Sequence, residues 1–227
     1  MVSVPLRKGN PSKRLPLAAL LGAFVALAVG CASSDFVYVS SSDRNAYFKV
    51  PANWKFYDKR QILVAGGQSL SSATDKQFSW LIGFDADPHP SVSHVVGIAD
   101  APKYPVIEAR VQSLPTVVRD ELSLGGLRNW VYPVDRLIQV NAGEILAYKD
   151  LVLRGGLHGS EMTFDVVLSG VSNPMSGGDV IRVTQVAVVD PGSNKLYLFM
   201  LRCESHCYRD NKTLLDTIVN SWTVKER

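Results

Sequence analysis

The second half of the chain carries four apolar runs, at 144–154, 162–168, 180–189 and 195–203. They are separated by Gly155-Gly156, by Asn173-Pro174 with Gly177-Gly178, and by Asp190-Pro191-Gly192. Gly, Pro, Asn and Asp in such gaps favour turns, so the runs predict four strands joined by tight connections. The gaps are too short for helical crossovers, which makes neighbouring strands antiparallel. Leu196 to Leu201 is apolar without alternation, and Ile181 to Val189 is interrupted only by Arg182, Thr184 and Gln185. An antiparallel strand reads that way when both faces of the sheet are covered, so helices are expected on both sides.

The first half shows period-2 patterns. Ala46, Phe48 and Val50 share one face of a predicted strand, and Pro51-Ala52-Asn53 turns the chain into a second strand at Trp54-Lys55-Phe56. Ile107, Ala109 and Val111 alternate with Glu108, Arg110 and Gln112, as in a half-buried strand. A short helix is predicted from Thr116 to Leu122, with Thr116 as N-cap and Gly125-Gly126 as the stop. Near the C-terminus, Leu214, Leu215, Ile218, Val219 and Trp222 recur at helical spacing. Thr213 with Asp216 resembles a capping box there, and the helix is predicted to end near Thr223. The fold class that follows is α+β, an antiparallel sheet with helices on both faces in an α/β/α sandwich.

The N-terminus follows a different pattern. Arg7, Lys8, Lys13 and Arg14 precede an uncharged, Leu-, Ala- and Val-rich stretch from Leu15 to Gly30. A basic segment, an apolar segment shorter than the roughly 20 residues a spanning helix needs, and small residues at its end together describe a cleaved export signal. Ala28-Val29-Gly30-Cys31 resembles the lipobox of bacterial lipoproteins, although Ala28 stands where Leu is commonest. The expectation is a signal at 1–30, acylation of Cys31, and a Ser- and Asp-rich tether through Arg44, with one domain at 45–227. The alternative is an ordinary signal peptide followed by an incidental cysteine.

Removing the signal changes the charge argument. Its four basic residues face no acidic ones, so their loss takes the net charge from +3 to −1. The basic balance belongs to the targeting segment, and nucleic acid is not expected as a partner. About 180 residues remain for the domain, enough to bury roughly 70% of the unfolded surface without metal or a disulfide framework.

The opening Tyr47-Phe48-Lys49-Val50-Pro51-Ala52-Asn53-Trp54, the closing strand from Tyr197 to Arg202, and the helical segment from Leu214 to Val224 together resemble the PsbP/Mog-like fold. They are more similar still to LpqN-type lipoproteins of actinobacterial cell envelopes. The resemblance covers both ends of the domain and little of its middle. It implies an envelope protein that acts by binding, as an adaptor or accessory factor, and it transfers no catalytic residues.

Candidate chemistry is sparse. Cys203 and Cys207 flank Glu204-Ser205-His206; outside the cytoplasm they are expected to form a disulfide, with a Cys203–His206–Cys207 metal site or free thiols as alternatives. His158-Gly159-Ser160 reads as a solvated hairpin turn, since no Gly-x-Ser-x-Gly elbow surrounds the serine. Asp85 and Asp87 could meet a calcium ion but lack the ligand spacing of an EF-hand. No catalytic residue, metal or cofactor is assigned.

The leading expectation is a non-enzymatic module, anchored by its lipid on the extracytoplasmic face of a membrane, that binds a protein, glycan or lipid partner in the envelope. Its candidate surface is the loops 85–94 and 100–105, where Pro88, His89, Pro90 and Tyr104 present rigid, partly apolar groups. The alternatives are a carrier of an apolar ligand in a cavity between sheet and helix, and a hydrolase whose site is scattered in sequence.

Overall fold

The computed structural model describes residues 35–97, 101–168 and 180–225. The predicted signal, Cys31, and the Asn173-Pro174 and Gly177-Gly178 turn residues lie outside them. Among the described residues, no helix is long and apolar enough to cross a membrane.

The described residues belong to one compact unit that begins at Asp35. Strands β1 (Phe36–Ser40), β2 (Ala46–Pro51) and β3 (Lys55–Tyr57) lead into helices α1 (Lys59–Ala65) and α2 (Ser72–Gln77), then β4 (Phe78–Asp85), α3 (Val92–Val96) and β5 (Val106–Ser113). Three short helices follow, α4 (Thr116–Glu121), α5 (Leu124–Arg128) and α6 (Val134–Gln139). The chain then runs through β6 (Gly143–Val152), β7 (His158–Val167), β8 (Val180–Val189) and β9 (Lys195–Glu204), ending in α7 (Ser205–Asp210), α8 (Lys212–Val219) and β10 (Thr223–Val224).

Seven strands form an antiparallel sheet in the order β3-β4-β5-β9-β8-β7-β6, and β1-β2-β10 form a smaller antiparallel sheet. The fold is α+β with helices on both faces, as the apolar runs predict. Central strand β9 explains why: all of its residues from Leu196 to Cys203 are buried. Tyr197, Phe199, Leu201 and Cys203 enter the core under the small sheet and α8, while Leu196, Leu198 and Met200 enter cores under α4–α6. Phe48 of β2 is the hub of the first core, with ring centroids 5.4 Å from Phe199, 6.0 Å from Phe84 and Trp222, and 6.4 Å from Trp80. Such tilted and edge-on aromatic contacts add to the burial of area.

Several expectations are corrected. The predicted tether to Arg44 is folded from Phe36, because Val37 and Val39 find partners across β2 at Val50 and Phe48. One face of the large sheet therefore carries a second sheet as well as helices. The helix at 116–121 is preceded by Pro115, not capped by Thr116, and Gly125-Gly126 lie inside α5, where Ser123 receives the Gly126 N–H and restarts the helix. Thr213 does not cap α8. Asn211 occupies that position without a side-chain cap, Asp216 pairs with Lys212, and the helix stops at Val219 so that Thr223 and Val224 can pair with β2.

His158-Gly159-Ser160 is the start of β7 and not a turn, with Gly155 and Gly156 at positive φ making the reversal before it. Ser160 is buried, and the His158 ring contacts the Gly156 carbonyl. Cys203 and Cys207 are joined in a disulfide that ties the end of β9 to α7. The bond occupies both sulfurs.

Gly159 shows how tightly the sheet is packed: a Cβ there would stand 2.0 Å from the Ala187 carbonyl oxygen and 2.8 Å from the Val188 Cα. Both are backbone atoms that cannot rotate away. Gly159→Ala is expected to cost about 3 kcal/mol, lowering the melting temperature by roughly 6–12 °C. A melt within about 2 °C of wild type would show that the strands part without cost.

Candidate partner-binding surface

Strand β4 ends in Asp85, whose neighbours before it are apolar and buried. The alternation of the sheet carries this carboxylate inward, and its side chain is 0% exposed. A buried carboxylate must be supplied with donors, and the following loop supplies them. Oδ1 accepts the backbone N–H of Asp87 at 2.9 Å, and Oδ2 accepts the N–H of Ser91 at 2.9 Å and the His94 Nδ1–H at 2.8 Å. Asp87 in turn accepts the N–H of His89 at 2.7 Å. The 86–94 segment is thus folded around one charge.

The other side of α3 is held by a second buried ion. Arg202, on β9 and 0% exposed, donates through Nη2 to the carbonyls of His94 at 2.6 Å and Val95 at 3.2 Å. These are carbonyls of the last turn, where a cation is favoured. Segment 101–105 is brought alongside by backbone bonds from Ala86 N–H to Pro105 O at 3.0 Å and from Glu204 N–H to Pro102 O at 2.9 Å.

Between the two segments lies a cleft of ≈ 240 Å³ lined by Asp85, Asp87, His94, Pro102, Lys103 and Tyr104. The structure therefore brings together the two loops singled out in the sequence, with Tyr104 on the cleft wall and 43% exposed. Pro88, His89 and Pro90 are exposed at the tip of the first loop and do not line the cleft. His94 and Lys103 were missed. The available signal was an aspartate ending an apolar strand, followed by a histidine nine residues later.

Chemically, the Asp85 carboxylate fixes the tautomer and orientation of the His94 ring, leaving Nε2 as an acceptor when the ring is neutral and a donor when it is charged. An Asp–His pair is also the acid–base half of a catalytic triad. The neighbouring hydroxyls of Ser91 and Ser93 hydrogen-bond to each other at 2.7 Å, and Ser91 also caps α3. The bonds that converge on Asp85 hold the 86–94 segment in place. Among the described residues, no three His, Cys, Asp or Glu side chains form a metal-binding group.

A larger concavity, ≈ 390 Å³, lies on the β4–β5 face of the large sheet beside α1. Ile62, Leu63, Phe78, Leu81, Val96 and Trp130 give it apolar walls, and Glu108 and Arg110, paired at 3.1 Å, supply its charged groups.

No protein-family model matches the chain, and no curated protein matches it. Similar solved structures include the cyanobacterial PsbP of Synechocystis sp. PCC 6803, 14% identical over 87% of this chain and 96% of that one, with a TM-score of 0.44. The Ran-binding protein Mog1p of Saccharomyces cerevisiae is 11% identical over 83% and 95%, with a TM-score of 0.43. LpqN of Mycobacterium tuberculosis, involved in cell envelope biogenesis, is 15% identical over 84% and 91%, with a TM-score of 0.40. The chain is thus similar to each of the three proteins named by the resemblance at its ends; the likeness concerns the course of the chain and assigns no role.

The positioning role of Asp85 is testable. Asp85→Asn sets an amide N–H₂ against donors, leaving buried groups unpaired at a cost of about 1–3 kcal/mol. The expected result is a lower melt with faster hydrogen exchange at 86–94. Unchanged exchange there would show that the loop does not depend on the carboxylate.

Proposed function

We propose that this chain is an exported lipoprotein, acylated at Cys31 and held on the extracytoplasmic face of a membrane, that works as a non-enzymatic binding module. The Cys203–Cys207 disulfide fits an oxidising compartment, and the lipobox-like Ala28-Val29-Gly30-Cys31 supplies the anchor. Two or three acyl chains hold a protein stably where one binds only marginally.

The partner surface is the 85–94 and 101–105 loops, and the observation that carries the reading is the burial of Asp85 beneath them. Three donors converge on that one carboxylate, so Pro88, His89, Pro90, Lys103 and Tyr104 are presented on a framework ordered in advance. Pre-organisation lowers the entropic cost of association. The partner is an envelope protein, glycan or lipid.

A second reading, a carrier of an apolar ligand, is favoured by the ≈ 390 Å³ cleft beside α1, which lies within the size range of small-molecule sites. It expects an apolar fluorescent probe to bind with one-to-one stoichiometry and to be lost in Val96→Phe, which fills the cleft. A probe response that Val96→Phe leaves unchanged would remove this reading.

For the leading reading, the N-terminal peptide of membrane-extracted protein should begin at acylated Cys31, and Cys31→Ala should lose the acyl mass and move the protein to the soluble fraction. Crosslinking in envelope membranes should recover a partner that is lost when Pro88, His89, Pro90, Lys103 and Tyr104 are substituted in sets, with the thermal melt unchanged. An unacylated Cys31 in the wild type would overturn the anchor. Turnover of a hydrolysable substrate that disappears in His94→Ala without loss of stability would overturn the binding reading.

A further inference from the structure

If Cys31 carries the lipid, only Ala32, Ser33 and Ser34 separate it from Asp35, where the folded unit begins. At roughly 3.5 Å per extended residue, that linker spans about 14 Å at most. The headgroup layer on one side of a bilayer takes up roughly 5–8 Å of that reach, leaving about 6–9 Å. The domain therefore has little freedom to stand away from the membrane, and β1, starting one residue later, must lie close to it.

The chemistry of this edge suits that position. Tyr38 is 85% exposed and Val37 42% exposed on the outer strand of the small sheet. Across the ladder, Lys49 pairs with Tyr38, and its ammonium lies 4.9 Å from the Phe36 ring centroid. The turn after β2, fastened to β1 by a bond from Ala52 N–H to Asp35 O at 3.0 Å, delivers the exposed Lys55 and the 48% exposed Phe56 to the same end. Segments 36–40 and 46–56 contain two lysines and no carboxylate, in a chain whose charge after signal removal is −1. Asp35, Asp43 and Asp58 flank them in sequence, Asp43 being paired with Lys195, and the buried Asp85 stands opposite Lys55.

We propose that this edge, carrying Val37, Tyr38, Lys49, Lys55 and Phe56, is a membrane-docking surface that rests on anionic lipid. The proposal rests on the reading of Cys31 as the acylated residue. Amphipathic aromatic rings settle at the headgroup level, and lysines near them gain from the negative surface potential. The lipid chains supply retention, and the edge supplies orientation, fixing which side of the domain faces the bilayer.

The test uses the mature chain, residues 31–227 with Cys31→Ala, so that docking is measured without acyl chains; all core clusters lie in the unit that starts at Asp35. Co-sedimentation is compared on vesicles of phosphatidylcholine alone and of phosphatidylcholine with one quarter phosphatidylglycerol. Binding is expected on the anionic vesicles, weakening with salt. Tyr38→Ser with Lys49→Glu and Lys55→Glu should reduce the partition at least roughly tenfold, with an unchanged melt. Lys149→Glu, on β6 at the opposite edge of the large sheet, should leave it unaltered.

Equal binding to both vesicle types, or a partition that the triple substitution does not change, overturns the proposal. So does a triple variant that converts a dimer to a monomer while vesicle binding persists, since the edge is then an interface between copies. Failure of the acylation reading is seen separately, in the mass of the wild-type N-terminal peptide.

Discussion

Burial of β9 on both faces is the constraint on which the rest of the structure depends. A strand covered by a second sheet on one side and by helices on the other has no solvated position, so each of its side chains must be apolar or fully supplied with partners. Arg202 is the exception to the apolar rule, and it is buried completely. Its guanidinium donates to the carbonyls of His94 and Val95. The cation thereby fastens a surface segment to the centre of the sheet. Removing one partner from such a buried arrangement is costly because the other stays buried and unpaired. Asp85 repeats the device with opposite charge at the start of the same segment. The loop between these two ions is consequently a property of the core, although its tip is exposed.

Phe48 plays the corresponding part on the opposite face. Its contacts with Trp80, Phe84, Phe199 and Trp222 connect the small sheet, the large sheet and the segment after α8. Because β2 is anchored by this ring, β1 on one side of it and β10 on the other are placed by backbone pairing, with Phe36, Val39 and Val224 packing against the same core. That accounts for the exposed side chains of β1: the strand is held through its ladder with β2 and is free to present Tyr38 outward. The same arrangement determines where the chain emerges toward Cys31.

The strands of the second half were legible in the sequence because their cause is local. Uniform apolar character and Gly- or Pro-containing gaps are recorded residue by residue, and β8 and β9 run where the apolar pattern places them, within a residue. The small sheet was not legible as a separate layer. Phe36-Val37-Tyr38-Val39 is too short to announce itself beside Ser- and Asp-rich neighbours, and its pairing with β2 is a tertiary fact. Helix ends failed for a related reason: Thr213 has the right type for a cap, but Asn211 reaches the capping position because α7 runs almost directly into α8. At the candidate surface, Pro88, His89, Pro90 and Tyr104 could be chosen as rigid loop residues. The pairing of Asp85 with His94 depends on a loop closing around a buried charge, and an aspartate ending an apolar strand with a histidine nine residues on does not by itself specify that closure.

The two surfaces are linked by strand register. Lys55 of β3 stands opposite Asp85 of β4, so the candidate loops leave the large sheet at the end where the β2–β3 turn carries Lys55 and Phe56. That turn is bonded to Asp35, the first residue of the folded unit. A short linker to an acylated Cys31 would therefore bring the 85–105 loops to the membrane side of the domain and leave β6, at the other edge of the sheet, turned away from it. A partner reached in that geometry must itself present its contact groups at or near the bilayer surface. If Cys31 is acylated, the folding of β1 removes the flexible reach that a long tether would give and narrows the range of partners to those that share the membrane.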